Sequence, residues 1–99
     1  MPPSALSAPI ASIGIPTEIK ADELRVGLTP DGTKELISQG LEVRIQAGAG
    51  AGAGIGDEAF ASAGAKIVTR KEAWESHLVV KVKEPQEEEF EFLREDLVL

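Results

Sequence analysis

The sequence lacks cysteine and contains no long hydrophobic run. Without cysteine the chain forms neither a disulfide nor a cysteine-based zinc site, and cysteine usage leaves the cellular compartment open. A membrane-spanning helix needs roughly 20 consecutive apolar residues, and no segment approaches that length. Residues 1–12 are rich in proline, serine and alanine and contain no basic residue, unlike a secretory signal or a transit peptide. These absences predict a cytoplasmic protein that opens with a disordered extension over residues 1–12.

Basic residues are also scarce, with 10 lysines and arginines against 17 aspartates and glutamates and a net charge of −7. Nucleic acids and anionic membranes bind to clustered lysine and arginine, so the sequence predicts neither partner. Much of the acidic excess lies in residues 84–95, where Arg94 is the single base. That segment predicts a solvated helix face or loop rather than a cation site, and no metal ligand is assigned.

The chain has 99 residues, enough for one small domain, in which predicted strands alternate with predicted helices. The helices are predicted to begin at the Thr29 N-cap before Pro30, at Asp57, and at the capping-box pair Thr69 and Glu72. Gly40 and Gly64 are placed to end the first two helices. The predicted strands are residues 13–15, 41–45, 65–68, 78–83 and 97–99. This alternation predicts an α/β fold, a mostly parallel, Rossmann-like sheet with flanking helices.

The glycine-rich segment over residues 48–56 follows a predicted strand and precedes a predicted helix, which is where nucleotide-binding loops occur. All its glycines occupy even positions, so a strict G-x-G-x-x-G motif is absent. Gly48, Gly50 and Ala53 match a looser variant, but the loop continues to Gly56 before the helix begins. We therefore interpret it as a structural loop, and no cofactor-binding residue is predicted.

In a parallel sheet, ligands bind beyond the carboxyl ends of the strands, which places Arg25 and Lys83 where chemistry is expected. Arg25 can present a planar fork to a carboxylate, although pairing with Glu23 or Asp22 on the surface is the alternative. Lys81 and Lys83 alternate on the fourth predicted strand, which places both on one face. Charges are unusual on a buried parallel strand, so the two lysines can be interpreted either as functional or as structural residues.

The remaining distinctive residues have simpler interpretations. His77 precedes the fourth strand at the amino end of the sheet, so a surface position is predicted. Trp74 and Phe60 are predicted to be core residues of their helices.

Several segments together resemble the N-terminal domain of alanine dehydrogenases and of the related proton-pumping nicotinamide nucleotide transhydrogenases. They occur in family order and extend over residues 13–99. The resemblance is carried by IGIPTEIK at residues 13–20, ELRVGLTP at 23–30, QAGAG at 46–50, Asp57 with Phe60, AGA at 63–65, Trp74, and VKVKEP at 80–85.

The resemblance implies an NAD-dependent enzyme that interconverts L-alanine with pyruvate and ammonia. It implies that Arg25 holds the carboxylate of a small 2-oxo or 2-amino acid and that Lys83 contacts its carbonyl or amino end. Transhydrogenases generally keep the first lysine of the Lys-Val-Lys run and vary the second, so Lys83 favours the alanine dehydrogenase branch.

The family pattern also implies that the domain over residues 13–99 is incomplete at its C-terminal end. An acid/base histidine, a catalytic aspartate and the domain that binds NAD are expected beyond Leu99. The chain alone is therefore expected to be inactive, with no catalytic residue of its own, and the full-length enzyme is expected to be a homo-oligomer. Two alternatives stay open: part of a transhydrogenase α subunit, and a stand-alone interaction module without catalysis.

Overall fold

The computed structural model describes residues 11–20, 23 and 25–93, and within these ranges it contains a parallel sheet of four strands. The strands are β1 (Ser12–Ile15), β2 (Glu42–Gln46), β3 (Lys66–Val68) and β4 (Leu78–Val79), arranged in the order β3-β2-β1-β4. Ile13 lies opposite Val43 on one side and opposite Leu78 on the other. The predicted α/β fold is confirmed, while the strand predicted at residues 97–99 lies outside the described residues.

Three helices connect the strands: α1 (Pro30–Ser38), α2 (Asp57–Ser62) and α3 (Arg70–Trp74). Short 3-10 helices occupy Ala51–Ala53 and Glu87–Phe92. The Thr29 side chain caps α1 by accepting from the Gly32 N–H, and the predicted capping box of Thr69 and Glu72 begins α3. These two predicted helix starts are confirmed, because each side chain satisfies an N–H group that the helix itself leaves unpaired.

The predicted start of α2 is wrong in detail. Gly56 occupies the N-cap position and has no side chain to cap the helix, while Asp57 is the first helical residue. The Asp57 carboxylate instead accepts a hydrogen bond from the backbone N–H of Gly48, at 2.9 Å. It therefore closes the glycine loop and leaves the helix end uncapped.

The central strands β1 and β2 supply the core on one side of the sheet. Their inward isoleucines and valine pack with Phe60 of α2 and with partly buried side chains of α1, forming a cluster that includes Ile13, Ile15, Val43, Ile45, Leu36 and Ile37. Gly14 points to the opposite face, where a side chain would overlap the Ala73 carbonyl oxygen of α3 at 1.9 Å. The glycine thus lets α3 lie directly on β1, with Trp74 fully buried. Phe60 and Trp74 are core residues, as predicted.

The fourth strand is shorter than predicted, and this changes the positions of the two lysines. β4 ends at Val79, and the Val80 N–H still pairs with the Gly14 carbonyl, but the chain then leaves the sheet. The prediction that Lys81 and Lys83 share one face of a strand is wrong. The physical reason is that a carboxylate from the segment after β1 accepts from the Val82 N–H, the next group that a longer β4 would pair with β1.

Candidate functional site

Three loops meet at the carboxyl edge of the sheet, because β4, β1 and β2 are neighbours and run in the same direction. The loop after β1 carries Thr17 and Glu18, and the Thr17 N–H donates to the Gln46 side chain at the end of β2. The loop after β2 is the glycine loop, and the loop after β4 carries the two lysines. This is the edge where a parallel α/β sheet binds ligands.

Arg25 and Lys83, far apart in sequence, both approach the carboxylate of Glu23. The Arg25 guanidinium donates from Nε at 3.0 Å and from Nη2 at 2.9 Å, and Lys83 Nζ lies 3.9 Å from Glu23 Oε1. The Arg25 side chain is 69% exposed, whereas the Glu23 side chain is buried. The structure therefore brings the two predicted site residues together, and it also contains the surface pairing with Glu23 that was the alternative for Arg25.

The Glu23 carboxylate is held in its ionised form. Hydrogen bonds from the Arg25 side chain and backbone, with smaller effects of the charges of Arg25 and Lys83, lower the pKa of Glu23 from its ordinary 4.5 to about 2. The same pairing raises the pKa of Arg25. Arg25 and Lys83 thus lie on the same carboxylate, in an arrangement that gives a small anion two cationic groups to pair with.

A shallow pocket of about 180 Å³ adjoins these residues and is lined by small side chains of the glycine loop together with residues of the β1 loop. The Thr17 hydroxyl is buried and has no hydrogen-bond partner among the described residues. Buried polar groups are nearly always paired, so an unpaired hydroxyl indicates a position that a water or a ligand can satisfy. The pocket is lined by Thr17, Glu18, Glu23, Arg25, Gly48, Ala49 and Gly52.

Most backbone N–H groups of the glycine loop have acceptors within the protein and are not left for a phosphate. Those of Ala51, Ala53 and Ile55 donate to carbonyl oxygens within the loop. Gly50 is required by packing, since a side chain there would lie 2.6 Å from the Ile55 carbonyl and 2.7 Å from the Phe60 ring. The Asp57 carboxylate at the start of α2 would repel a pyrophosphate. These residues do not fit the NAD pyrophosphate.

A second carboxylate at the same edge, Glu18, was not singled out from the sequence. Its side chain is buried and accepts hydrogen bonds from the backbone of Val82 and Lys83 and from Lys81 Nζ. Glu89, which also binds Lys81 Nζ, is fully buried, so the prediction that the acidic segment is solvated is wrong for this residue. The sequence feature that could have indicated these buried carboxylates is the lysine pair, because a charge on a buried segment needs an opposite charge nearby.

Two other features lie away from this edge. His77 is exposed, as predicted, and its Nδ1 accepts from the Ala11 N–H near the start of β1. A larger pocket of about 390 Å³ lies between α3 and the 3-10 helix Glu87–Phe92, and neither Arg25 nor Lys83 lines it. It borders Leu93, the last described residue before the C-terminal segment. No helix in the described ranges is both long and apolar enough to cross a membrane.

Comparison with known proteins shows the family to which this domain belongs. The family profile described as "Alanine dehydrogenase/PNT, N-terminal domain" matches residues 14–99. The chain belongs to this family. The alanine dehydrogenase of Bacillus subtilis is 50% identical over 88 residues, covering 88% of this chain and 23% of that protein.

Solved structures of the family share this fold. A structure titled L-alanine dehydrogenase has a TM-score of 0.85 at 44% identity, covering 87% of this chain and 24% of that one. A transhydrogenase from Sinorhizobium meliloti has a TM-score of 0.81 at 31% identity, covering 87% of this chain and 26% of that one. The chain thus spans about a quarter of the length of these alanine dehydrogenase and transhydrogenase relatives. Both branches of the family share the domain, and the identity is higher to the dehydrogenase.

Proposed function

We propose that this chain forms one wall of the substrate pocket of an alanine dehydrogenase, with Arg25 and Lys83 as the substrate-binding residues. The observation that carries the proposal is the convergence of these two cations on one carboxylate at the carboxyl edge of the sheet. The proposed reaction is the interconversion of L-alanine with pyruvate and ammonia, and membership of the alanine dehydrogenase/PNT family supports it. The substrate class is a small 2-oxo or 2-amino acid, whose carboxylate is the group that an arginine fork recognises.

The contacts of Arg25 support this assignment of roles. Its Nε and Nη2 atoms bind Glu23, while no acceptor among the described residues is bound to Nη1. Glu23 therefore holds the guanidinium in place and leaves its outer edge for a second carboxylate. A substrate bound there would have its carbonyl directed toward Lys83, since Lys83 flanks the same Glu23 oxygen.

The remaining parts of the reaction belong to residues other than those described. NAD is the proposed redox cofactor, and its binding is assigned to a separate domain because the glycine loop does not fit a pyrophosphate. The acid/base histidine and the catalytic aspartate are likewise proposed to lie beyond Leu99, so that this chain alone is inactive. A cytoplasmic homo-oligomer is the proposed context of the full-length enzyme.

The test places this domain in a complete enzyme. The matching 88 residues of the Bacillus subtilis alanine dehydrogenase are replaced by those of this chain, and turnover of pyruvate with ammonia and NADH is measured. Arg25→Lys keeps the charge but loses the bidentate fork, and Lys83→Ala removes a charged hydrogen bond. We expect each to lower kcat/KM for pyruvate roughly 30- to 1,000-fold while leaving NAD affinity nearly unchanged.

Lys34→Ala is the matched control, because Lys34 is an exposed lysine on α1 and does not line the pocket beside Arg25. It should leave kcat/KM within about twofold of the parent chimera. Near-normal turnover of both site variants in an active chimera would contradict the proposed pocket. An interaction module would then be the better interpretation of this domain.

A further inference from the structure

Lys81 lies in a buried network with two carboxylates from different segments of the chain. Its side chain is 3% exposed, and Nζ is 3.2 Å from Glu18 Oε1 and 3.2 Å from Glu89 Oε2. Nζ also lies 6.0 Å from the centre of the Trp74 ring, within reach of a weak cation–π interaction. A lysine this deep is retained only when its charge is paired and its donors are occupied.

The carboxylate oxygens of the network are occupied as well. Glu89 Oε1 accepts from the Gln86 N–H at 2.9 Å, which fixes the start of the 3-10 helix Glu87–Phe92. Glu18 Oε2 accepts from the Val82 N–H at 2.9 Å, and Glu18 Oε1 accepts from the Lys83 N–H at 3.3 Å. Both carboxylates and two of the three Lys81 Nζ donors are thus paired, and a buried polar network paired in this way favours one geometry.

The two carboxylates differ in what they hold besides Lys81. Glu89 binds the backbone that follows the lysine run, whereas Glu18 binds the backbone of Lys83 itself. Glu18 accepts from the backbone N–H of Lys83, next to the Cα atom that carries the Lys83 side chain. The other end of that side chain, Nζ, lies 3.9 Å from the Glu23 carboxylate. Glu18 thus holds the backbone of Lys83 in place without contacting the Lys83 side chain.

We propose that Glu18, anchored by Lys81 and Glu89, is a positioning residue that sets the placement of Lys83 toward the substrate carbonyl. This inference rests on the proposed function, because it assumes that Lys83 contacts the substrate. Glu18 acts through Lys83 and takes no part in the chemistry. A displacement of about 1 Å at such a group can reduce the rate by about two orders of magnitude.

The test compares Glu18→Gln with Glu89→Gln in the chimeric enzyme. Both substitutions remove one carboxylate charge from Lys81 at equal distance, so both should lower stability to a similar degree. Glu18→Gln also replaces one of the two oxygens that accept from the Val82 and Lys83 N–H groups by an NH2 donor, which disrupts the backbone contact at Lys83. It should reduce kcat about 10- to 100-fold while KM for pyruvate, set mainly by Arg25, changes less than about threefold. Glu89→Gln should retain kcat within about threefold.

The decisive measurement combines Glu18→Gln with Lys83→Ala. If Glu18 acts through Lys83, it should have less than about a threefold further effect on kcat/KM once Lys83 is alanine. A full additional loss in the double variant would overturn the proposal, and so would equal kcat losses for the Glu18 and Glu89 variants. Should Glu18→Gln fail to fold, Glu18→Asp keeps the charge for Lys81 but shortens the reach, and the same two comparisons apply.

The parent chimera and Lys83→Ala separate this proposal from the function on which it rests. An active Lys83→Ala enzyme would contradict the substrate-binding role of Lys83. An inactive Lys83→Ala enzyme with a normal Glu18→Gln enzyme would contradict only the positioning role of Glu18.

Discussion

Among the described residues, three ion pairs connect the loop after β1 to the segment after β4, and they lie at three depths. Glu18 and Lys81 form the buried pair. Glu23 is buried, but its partner Lys83 is 39% exposed. Lys20 and Glu84 form the outermost pair at 2.7 Å, where the Glu84 side chain is 65% exposed. Within a few residues, the same two segments therefore form one buried, one half-buried and one solvent-exposed ion pair.

The comparison separates the two lysines that the sequence presents as equivalent. Lys81 is buried, with two carboxylates within hydrogen-bond distance, whereas Lys83 is half-exposed and, in the described part of the chain, pairs with one carboxylate at 3.9 Å. A buried charge is fixed by its partners, while a half-exposed charge can exchange one partner for a substrate. The difference in burial indicates a structural role for Lys81 and is compatible with the proposed substrate contact of Lys83.

The largest effect is expected from the buried pair. Lys81→Met removes the cation and leaves Glu18 and Glu89 uncompensated, which should lower the free energy of unfolding by about 3–5 kcal/mol. That is a large part of the stability of a small domain. Denaturant unfolding of the 99-residue chain measures it, and Lys83→Met should shift the midpoint far less.

The double variant Lys81→Met/Glu89→Gln sharpens this expectation. Removing one orphaned carboxylate should recover part of the lost stability, because the loss comes from uncompensated charge rather than from missing contacts. Equal destabilisation by Lys81→Met and Lys83→Met would remove the distinction between the two lysines. A double variant less stable than Lys81→Met alone would show that side-chain packing, and not charge, accounts for the loss.

Much of the fold followed from local patterns in the sequence. The N-caps at Thr29 and Thr69 and the positive φ of Gly40 after α1 depend on neighbouring residues alone, so they were predictable. The location of the site followed from topology, because parallel strands place their carboxyl ends along one edge. Arg25 and Lys83 were singled out from that edge together with the family resemblance, and the structure brings them together at Glu23.

What could not be predicted depends on contacts between distant residues. β4 ends early because Glu18, more than sixty positions away, accepts from the Val82 N–H group that would otherwise pair with β1. Similarly, Asp57 reaches back across the glycine loop to Gly48 instead of capping its own helix. A single sequence gives no information on which carboxylate among many will meet a given N–H group. These interactions are tertiary, so local propensity was overridden there.

The intermediate pair should appear as a dependence of stability on pH. The pKa of Glu23 is lowered to about 2 by Arg25 and Lys83, so its ionised form stabilises the folded chain. This contribution is fully present above the unfolded pKa of about 4.5 and is lost as the pH falls through about 2. Wild type should therefore be more stable than Glu23→Gln at about pH 6, and the two should converge toward about pH 2.

Unfolding curves of both proteins across this pH range provide the measurement, and Glu58→Gln on α2 is the control. Glu58 is exposed, so its removal should leave the pH dependence of stability nearly unchanged. A constant difference between wild type and Glu23→Gln at every pH would mean that Glu23 contributes through packing rather than through its charge.

The smallest effect is expected from the outermost pair. Lys20 lowers the pKa of Glu84 to about 2, but both side chains are exposed to solvent, which screens their attraction. Glu84→Gln should lower the melting temperature by at most about 2 °C in dilute buffer, and the difference should vanish in about 1 M salt. Lys81→Met should remain strongly destabilised at the same salt concentration, because water and ions do not reach its partners. If the loss of melting temperature in Glu84→Gln persisted in high salt, this pair would behave like the buried pair. Depth of burial would then not explain how the three contacts differ.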